Sequence, residues 1–215
     1  MMYLFDLDGT IVDSQEGITK GLTYALKKME MPPLPYEKLL QFIGPSFVES
    51  FPRVLGTNEE ETKRMISYYR EYYGTEGKKE FTPYEGIIPM IKELHDMGAE
   101  IYMATAKPEI FAKFIAKYMG IDSFFKEIVG ALSDNSRHEK VDVIREVLRD
   151  KTYDPKDVYM IGDRKSDIGA GKVFGLRTVG VKYGFALKGE IESAKPDYIC
   201  ESVKDLSHLL KELIK

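Results

Sequence analysis

The sequence predicts an α/β protein: a doubly wound parallel sheet carrying an inserted all-helical domain. Three observations predict it. An apolar run near the N-terminus, Tyr3-Leu4-Phe5, ends abruptly in two carboxylates, Asp6 and Asp8, before Gly9. After Pro83, helical and strand patterns alternate, the signature of a parallel sheet with right-handed crossovers. Between these parts, residues 16–81 show helical spacing and no convincing strand.

The first run reads as a strand buried on both faces, as apolar residues bounded by glycine do in a parallel sheet. Side chains two apart share a strand face, so Asp6 and Asp8 are expected to point together. Two carboxylates 4 Å apart repel by about 4 kcal/mol at an effective dielectric of 20. Such a pair calls for a cation, and Mg²⁺, with its preference for carboxylate oxygens, suits it. Gly9 lets the chain turn sharply and approach a ligand closely.

In the insertion, Ile18, Leu22, Ala25, Leu26 and Met29 recur at helical spacing, and Met31-Pro32-Pro33 stops that helix. A second short helix is expected over 37–43, ended by Gly44-Pro45, and a third over 47–55, made irregular by Pro52. Asn58 caps a fourth, which runs to Gly74. Lys20, Lys27 and Lys28 read as a solvated helix face. Tyr68, Tyr69, Tyr72 and Tyr73 read as packing of this domain or of a dimer contact.

In the alternating part, helices at 87–97, 108–119, 140–148, 167–173 and 203–214 separate strands at 100–104, 126–129, 158–161, 177–181 and 198–200. The core is therefore expected over 1–15 and 82–215, with the helical domain at 16–81. An insertion after the first strand sits above the carboxyl ends of the strands, where such sheets bind ligands, and is expected to act as a lid.

Bulk properties narrow the possible partners. A chain of 215 residues holds one good core plus a smaller module. With 43% hydrophobic and 31% charged residues it reads as an ordinary soluble globular protein. The net charge of −4 argues against a nucleic acid polymer as partner, so an anionic substrate has to be attracted locally. Cys200, the only cysteine, excludes an intrachain disulfide and reads as a buried structural thiol. No basic leader or long apolar stretch is seen. The expectation is a cytoplasmic protein with no membrane partner, monomeric or homodimeric.

Asp6-Leu7-Asp8-Gly9-Thr10, continuing as Ile11-Val12-Asp13-Ser14, resembles the first motif of the haloacid dehalogenase superfamily of phosphohydrolases. The resemblance implies that Asp6 attacks phosphorus and becomes an aspartyl phosphate. It implies that Asp8 is general acid and then general base, and offers its backbone carbonyl to Mg²⁺. A carboxylate is a competent covalent catalyst, because it splits one hard step into two easier ones. The second motif falls on Ala104-Thr105-Ala106-Lys107-Pro108. Thr105 is expected to bind the phosphoryl group, with the Ala106 N–H and Gly9 beside it. A hydroxyl at a strand end, followed by free N–H groups at a helix start, suits an anion. No role falls to Lys107.

The third motif is a lysine that neutralises phosphate and nucleophile together, and Lys140 fits it. Lys140 opens an amphipathic helix, where a cation gains nothing from the helix dipole. Arg137 is a second candidate there, whereas His138 is expected to be exposed and without a role. Gly162-Asp163-Arg164-Lys165-Ser166-Asp167 meets the family's fourth pattern, Gly-Asp-x-x-x-Asp. Asp163 is then the direct Mg²⁺ ligand and Asp167 its nearby support, also readable as a helix N-cap. Arg164 and Lys165 offset local negative charge.

Phe42-Ile43-Gly44-Pro45 and Lys195-Pro196-Asp197-Tyr198-Ile199 are similar to the phosphoglycolate phosphatase branch, whose members carry a small helical cap on a Rossmann-like core. The resemblance implies a Mg²⁺-dependent phosphatase of a small phosphorylated metabolite. Residues 44–49 contain no arginine, and the first is Arg53, whereas relatives often place one soon after Gly-Pro-Pro. A 5′-nucleotidase or pyrophosphatase of the same branch is the alternative, as is a phosphomutase resembling β-phosphoglucomutase. Asp8 argues against a dehalogenase or a phosphonate-cleaving relative. The complete motif set argues against a binding module without turnover. Substrate selection is expected around 44–47 and Gln15.

Overall fold

The computed structural model describes residues 1–132 and 136–214. The chain divides into two compact units, Met1–Val12 with Pro83–Lys215, and Asp13–Thr82. The first unit holds a sheet of six strands: β1 (Met2–Phe5), β2 (Glu100–Pro108), β3 (Glu127–Ala131), β4 (Val158–Gly162), β5 (Arg177–Val181) and β6 (Tyr198–Cys200). Their order is β3-β2-β1-β4-β5-β6, and every neighbouring pair is parallel. The fold is thus the doubly wound α/β type expected. The chain leaves β1 toward β2 on one side and β4 on the other, so the carboxyl end of β1 is the topological switch point. Phe5 pairs with Met103 and with Ile161. The residues that follow these three therefore emerge side by side.

The second unit is helical: α1 (Gln15–Lys28), α2 (Tyr36–Leu39), a 3₁₀ turn at Leu40–Phe42, α3 (Phe47–Leu55) and α4 (Glu59–Tyr73). Asn58 and Glu61 cap α4 reciprocally, each side chain accepting the other's backbone N–H at 2.9 Å. Phe51 is fully buried between Phe42 and Phe47, and Tyr69 packs against Phe47 and Tyr73. Tyr69 and Tyr73 therefore help build this unit's interior, whereas Tyr68 and Tyr72 are only half-buried. Of the lysines, Lys20 pairs with Glu16 and Glu80, and Lys28 with Glu71.

The core helices are α5 (Ile87–Asp96), α6 (Glu109–Tyr118), α7 (Lys140–Leu148), α8 (Lys165–Val173), α9 (Glu190–Ala194) and α10 (Val203–Ile214). Alternation along β1 splits its side chains between two layers. Leu4 joins Tyr102, Ala104 and Met160 under Val143, Ile144 and Val147 of α7. Tyr3 faces the other way, against Phe5 and Tyr159, and its hydroxyl donates to the Leu210 carbonyl of α10 at 2.7 Å. Burying each such side chain contributes about 1.5–3 kcal/mol.

Some elements depart from the sequence reading. β2 runs on to Pro108 instead of stopping at Ala104, because its register against β3 shifts between those residues. Proline also biases the residue before it toward an extended backbone, which delays α6. The short helix α9 was not expected, since five residues carry too little periodicity to read. Cys200 is buried, and burial pushes its thiol up to about 11. Among the described residues no helix is long and apolar enough to cross a membrane.

Candidate active site

β1 stops at Phe5, one residue before the acids. Asp6 stays aligned with the sheet through its N–H, which donates to the Ile161 carbonyl at 2.9 Å. The chain then closes a tight turn. The Ile11 and Val12 N–H groups both donate to the Leu7 carbonyl, and the Gly9 N–H donates to Val12. Asp6 faces Lys140 at 2.7 Å, whereas Asp8 receives the Lys107 ammonium on both oxygens, at 2.9 and 3.0 Å. Each of the two carboxylates thus has a lysine beside it.

A second acid cluster forms around Asp6. Oxygens of Asp6, Asp163 and Asp167, all buried, lie within 4.8 Å of one another. Lys140, the first residue of α7, lies 2.7 Å from Asp6 and 2.8 Å from Asp167 and donates to the Ala104 carbonyl at 3.0 Å. The two carboxylate contacts are short but off the hydrogen-bond axis. In a buried site the charge attraction operates at that distance regardless of angle. Asp167 is the third residue of α8 and not its N-cap, because the helix begins at Lys165. Its Oδ2 accepts the Arg164 N–H at 3.0 Å, so both of its oxygens are engaged.

The electrostatics of the cluster are unbalanced. Burial, with the Asp167 and Asp8 charges, pushes Asp6 up to about 6 against the opposing pull of Lys140. Burial, then Asp167 and Asp6, raises Asp163 well above the carboxylate range. Burial works against the Lys140 ammonium, but Asp167 and Asp6 outweigh it and raise its pKa. Fully ionised, three carboxylates face one ammonium, which leaves two negative charges without a partner. A hard divalent cation such as Mg²⁺ fits this donor set, which is all oxygen and needs few protein ligands.

Close backbone approach shapes the site. Gly9 has φ +82°, and a Cβ there would lie 2.2 Å from Asp163 Oδ2. A turn after β5 braces the same point: the Phe185 N–H donates to Asp163 Oδ2 at 2.7 Å, and the Tyr183 hydroxyl donates to the Thr10 carbonyl at 3.0 Å. Sequence reading missed this turn. Its available signal was Gly184 between two aromatic residues just beyond a strand.

Thr105 is buried, and its hydroxyl oxygen accepts the Lys107 N–H at 3.2 Å, which leaves the hydroxyl hydrogen able to donate. Thr105 and half-buried Ala106 lie within β2, not at the start of α6, so the Ala106 N–H is not a helix-terminus donor as expected. Arg137 is taken up elsewhere: its Nε donates to the Gly130 carbonyl, and its terminal nitrogens pair with Glu109 and Glu146. Arg164 pairs with Glu190 at 2.9 Å, and the same glutamate accepts the Lys165 N–H. His138 is half-buried, not exposed.

The family profile of the haloacid dehalogenase-like hydrolases matches residues 3–181. The chain belongs to that family. Among its relatives, a 5′-nucleotidase of Pseudomonas aeruginosa is 33% identical over 97% of this chain and 94% of its own length. Pyrophosphatase PpaX of Bacillus velezensis is 32% identical over 96% and 94%. Tyrosine-protein kinase PtkA of Mycobacterium bovis is 32% identical over 86% of this hydrolase, which spans 62% of that longer protein. The crystal structure of a predicted phosphatase from Clostridium acetobutylicum superposes with a TM-score of 0.94 at 36% identity, covering 98% of each chain.

Proposed function

We propose that this phosphatase of the haloacid dehalogenase-like family hydrolyses a small phosphorylated metabolite, with Mg²⁺ as cofactor and Asp6 as nucleophile. The observation that carries the reading is the buried Asp6, Asp163 and Asp167 cluster around one lysine. Asp6, Asp163 and the Asp8 backbone carbonyl would hold the metal, with Asp167 behind them. When bound, the ion offsets phosphoryl charge and polarises its oxygens.

An Asp6 oxygen attacks phosphorus, and the bond from phosphorus to the ester oxygen breaks. Asp8 gives that oxygen a proton. Water then attacks the phosphorus of the aspartyl phosphate and passes a proton back to Asp8, and the bond from phosphorus to Asp6 breaks to release phosphate. Such proton transfers contribute about 10²–10⁴-fold. Lys140 orients Asp6 and offsets its charge. The Thr105 hydroxyl, the Ala106 N–H and the Gly9 turn would receive the phosphoryl oxygens.

The names of two relatives make nucleoside monophosphates and pyrophosphate the first candidates, beside phosphoglycolate. Residues 44–49 carry no cation, which favours a substrate without a carboxylate. Inorganic phosphate release from a panel of these compounds and sugar phosphates, with and without Mg²⁺, tests the reading. Release should require Mg²⁺ and vanish in Asp6→Asn with the circular dichroism spectrum unchanged. Turnover by Asp6→Asn at the wild-type rate would sink the mechanism.

A further inference from the structure

Lys107 and Asp8 form an ion pair almost closed to solvent, with side chains 4% and 12% exposed. Withdrawing two charges from water is unfavourable unless their geometry is well held. Here it is held from the backbone upward. Lys107 lies in the stretch of β2 where the register shifts, its N–H donates to the Thr105 hydroxyl oxygen, and Pro108 follows it. Gly130 leaves room for the Lys107 carbonyl, since a Cβ at Gly130 would lie 2.5 Å from that oxygen. A fixed stem with a contact to both oxygens specifies the direction of the Asp8 carboxylate. Each carboxylate oxygen offers about two acceptor sites, so one per oxygen remains for the proton in transit.

We propose that Lys107 is a positioning residue for proton transfer, aiming the Asp8 carboxylate at the leaving-group oxygen. The proposal rests on the acid and base role given to Asp8 above. A well-aimed proton donor matters more as the leaving group becomes more basic. Loss of Lys107 should therefore harm alkyl esters and spare activated aryl esters, whereas general damage to the fold would harm both.

The test measures kcat/KM for an alkyl phosphate and for p-nitrophenyl phosphate in wild type, Lys107→Met, Lys107→Gln and Asp8→Asn. Lys107→Met should lower the alkyl-to-aryl ratio about tenfold or more, a share of the usual proton-transfer contribution. Lys107→Gln, which keeps a donor, should lower it less, and it carries the test if the methionine variant does not fold. In an Asp8→Asn background the ratio should no longer respond to Lys107, because the pair acts as one unit. Equal losses on both esters, or an undiminished response in that background, would overturn the proposal. If Asp6→Asn is inactive while the ratio stays fixed, only the role of Lys107 fails. If Asp6→Asn stays active, the reading of the whole site fails.

Discussion

Gly184 has no space for a side chain. A Cβ there would lie 2.3 Å from the Gly9 carbonyl oxygen and 2.5 Å from Asp163 Oδ2. The obstructing carbonyl is backbone, and Gly9 is itself tied by its N–H to Val12. In Gly184→Ala the turn must therefore retreat by about 0.7 Å to reach even the 3.0 Å limit of real Cβ contacts. Overpacking of this kind costs about 1–3 kcal/mol. Loss of the Phe185 hydrogen bond to the Asp163 carboxylate would add about 1.5–3 kcal/mol. At about 2–4 °C per kcal/mol for a chain of this size, the overpacking alone lowers the melting temperature by roughly 2–12 °C. Asp163 also loses its brace, and such outer partners govern metal affinity by about 10–100-fold. Thermal unfolding and calorimetric Mg²⁺ titration read both effects. Gly169→Ala serves as control: nothing lies within 4 Å of its Cβ in α8, so it should gain about 0.5–1 kcal/mol. A Gly184→Ala protein that melts and binds Mg²⁺ like wild type would refute the bracing argument.

Three further outcomes are expected. Asn58→Ala removes the cap of α4 and should destabilise the helical unit by about 1 kcal/mol in denaturant titration, with Asn58→Asp close to wild type. The Asp197 carboxyl is raised by burial, but its bonds from the Thr178 N–H, the Thr178 hydroxyl and Arg177 outweigh that and hold it below the usual range. Its contribution is therefore present above the unfolded pKa and lost as pH falls through the folded one. The stability gap to Asp197→Asn should be full at pH 7 and shrink below about pH 4 in urea unfolding. Mg²⁺ at 100 times its dissociation constant should stabilise the native state by about 2.7 kcal/mol, reversibly with EDTA, and this gain should disappear in Asp163→Asn.

The sheet and much of the candidate site were legible because several motif residues sit just beyond the end of an apolar strand or at the start of a helix. Asp6 after β1, Asp163 after β4 and Lys140 opening α7 were placed correctly by that logic. Asp8 lies in a tight turn beyond the end of β1, so its lysine partner could not be read from strand periodicity. Lys107 was invisible for a related reason: its ion pair depends on a register shift in β2, which no local pattern encodes. The start of α8 moved from Asp167 to Lys165, a two-residue shift typical of helix boundaries, which makes Asp167 the third helical residue. The turn at Tyr183 to Phe185 reaches Asp163 through a backbone N–H, which carries no residue signature apart from the neighbouring glycine.

The position of β1 also bears on how the chain folds. It precedes both of its strand neighbours in the chain, and Phe5 finds one at Met103 and the other only at Ile161. Pairings so distant in sequence form slowly. Until β4 emerges from the ribosome, one edge of an apolar strand stays open, a template for pairing with other chains. Charges that interrupt such a run act as gatekeepers against association. Asp6 and Asp8 stand directly after Phe5. The carboxylates proposed above for catalysis would thus also guard the nascent strand, and replacing them with apolar residues should lower soluble yield as well as activity.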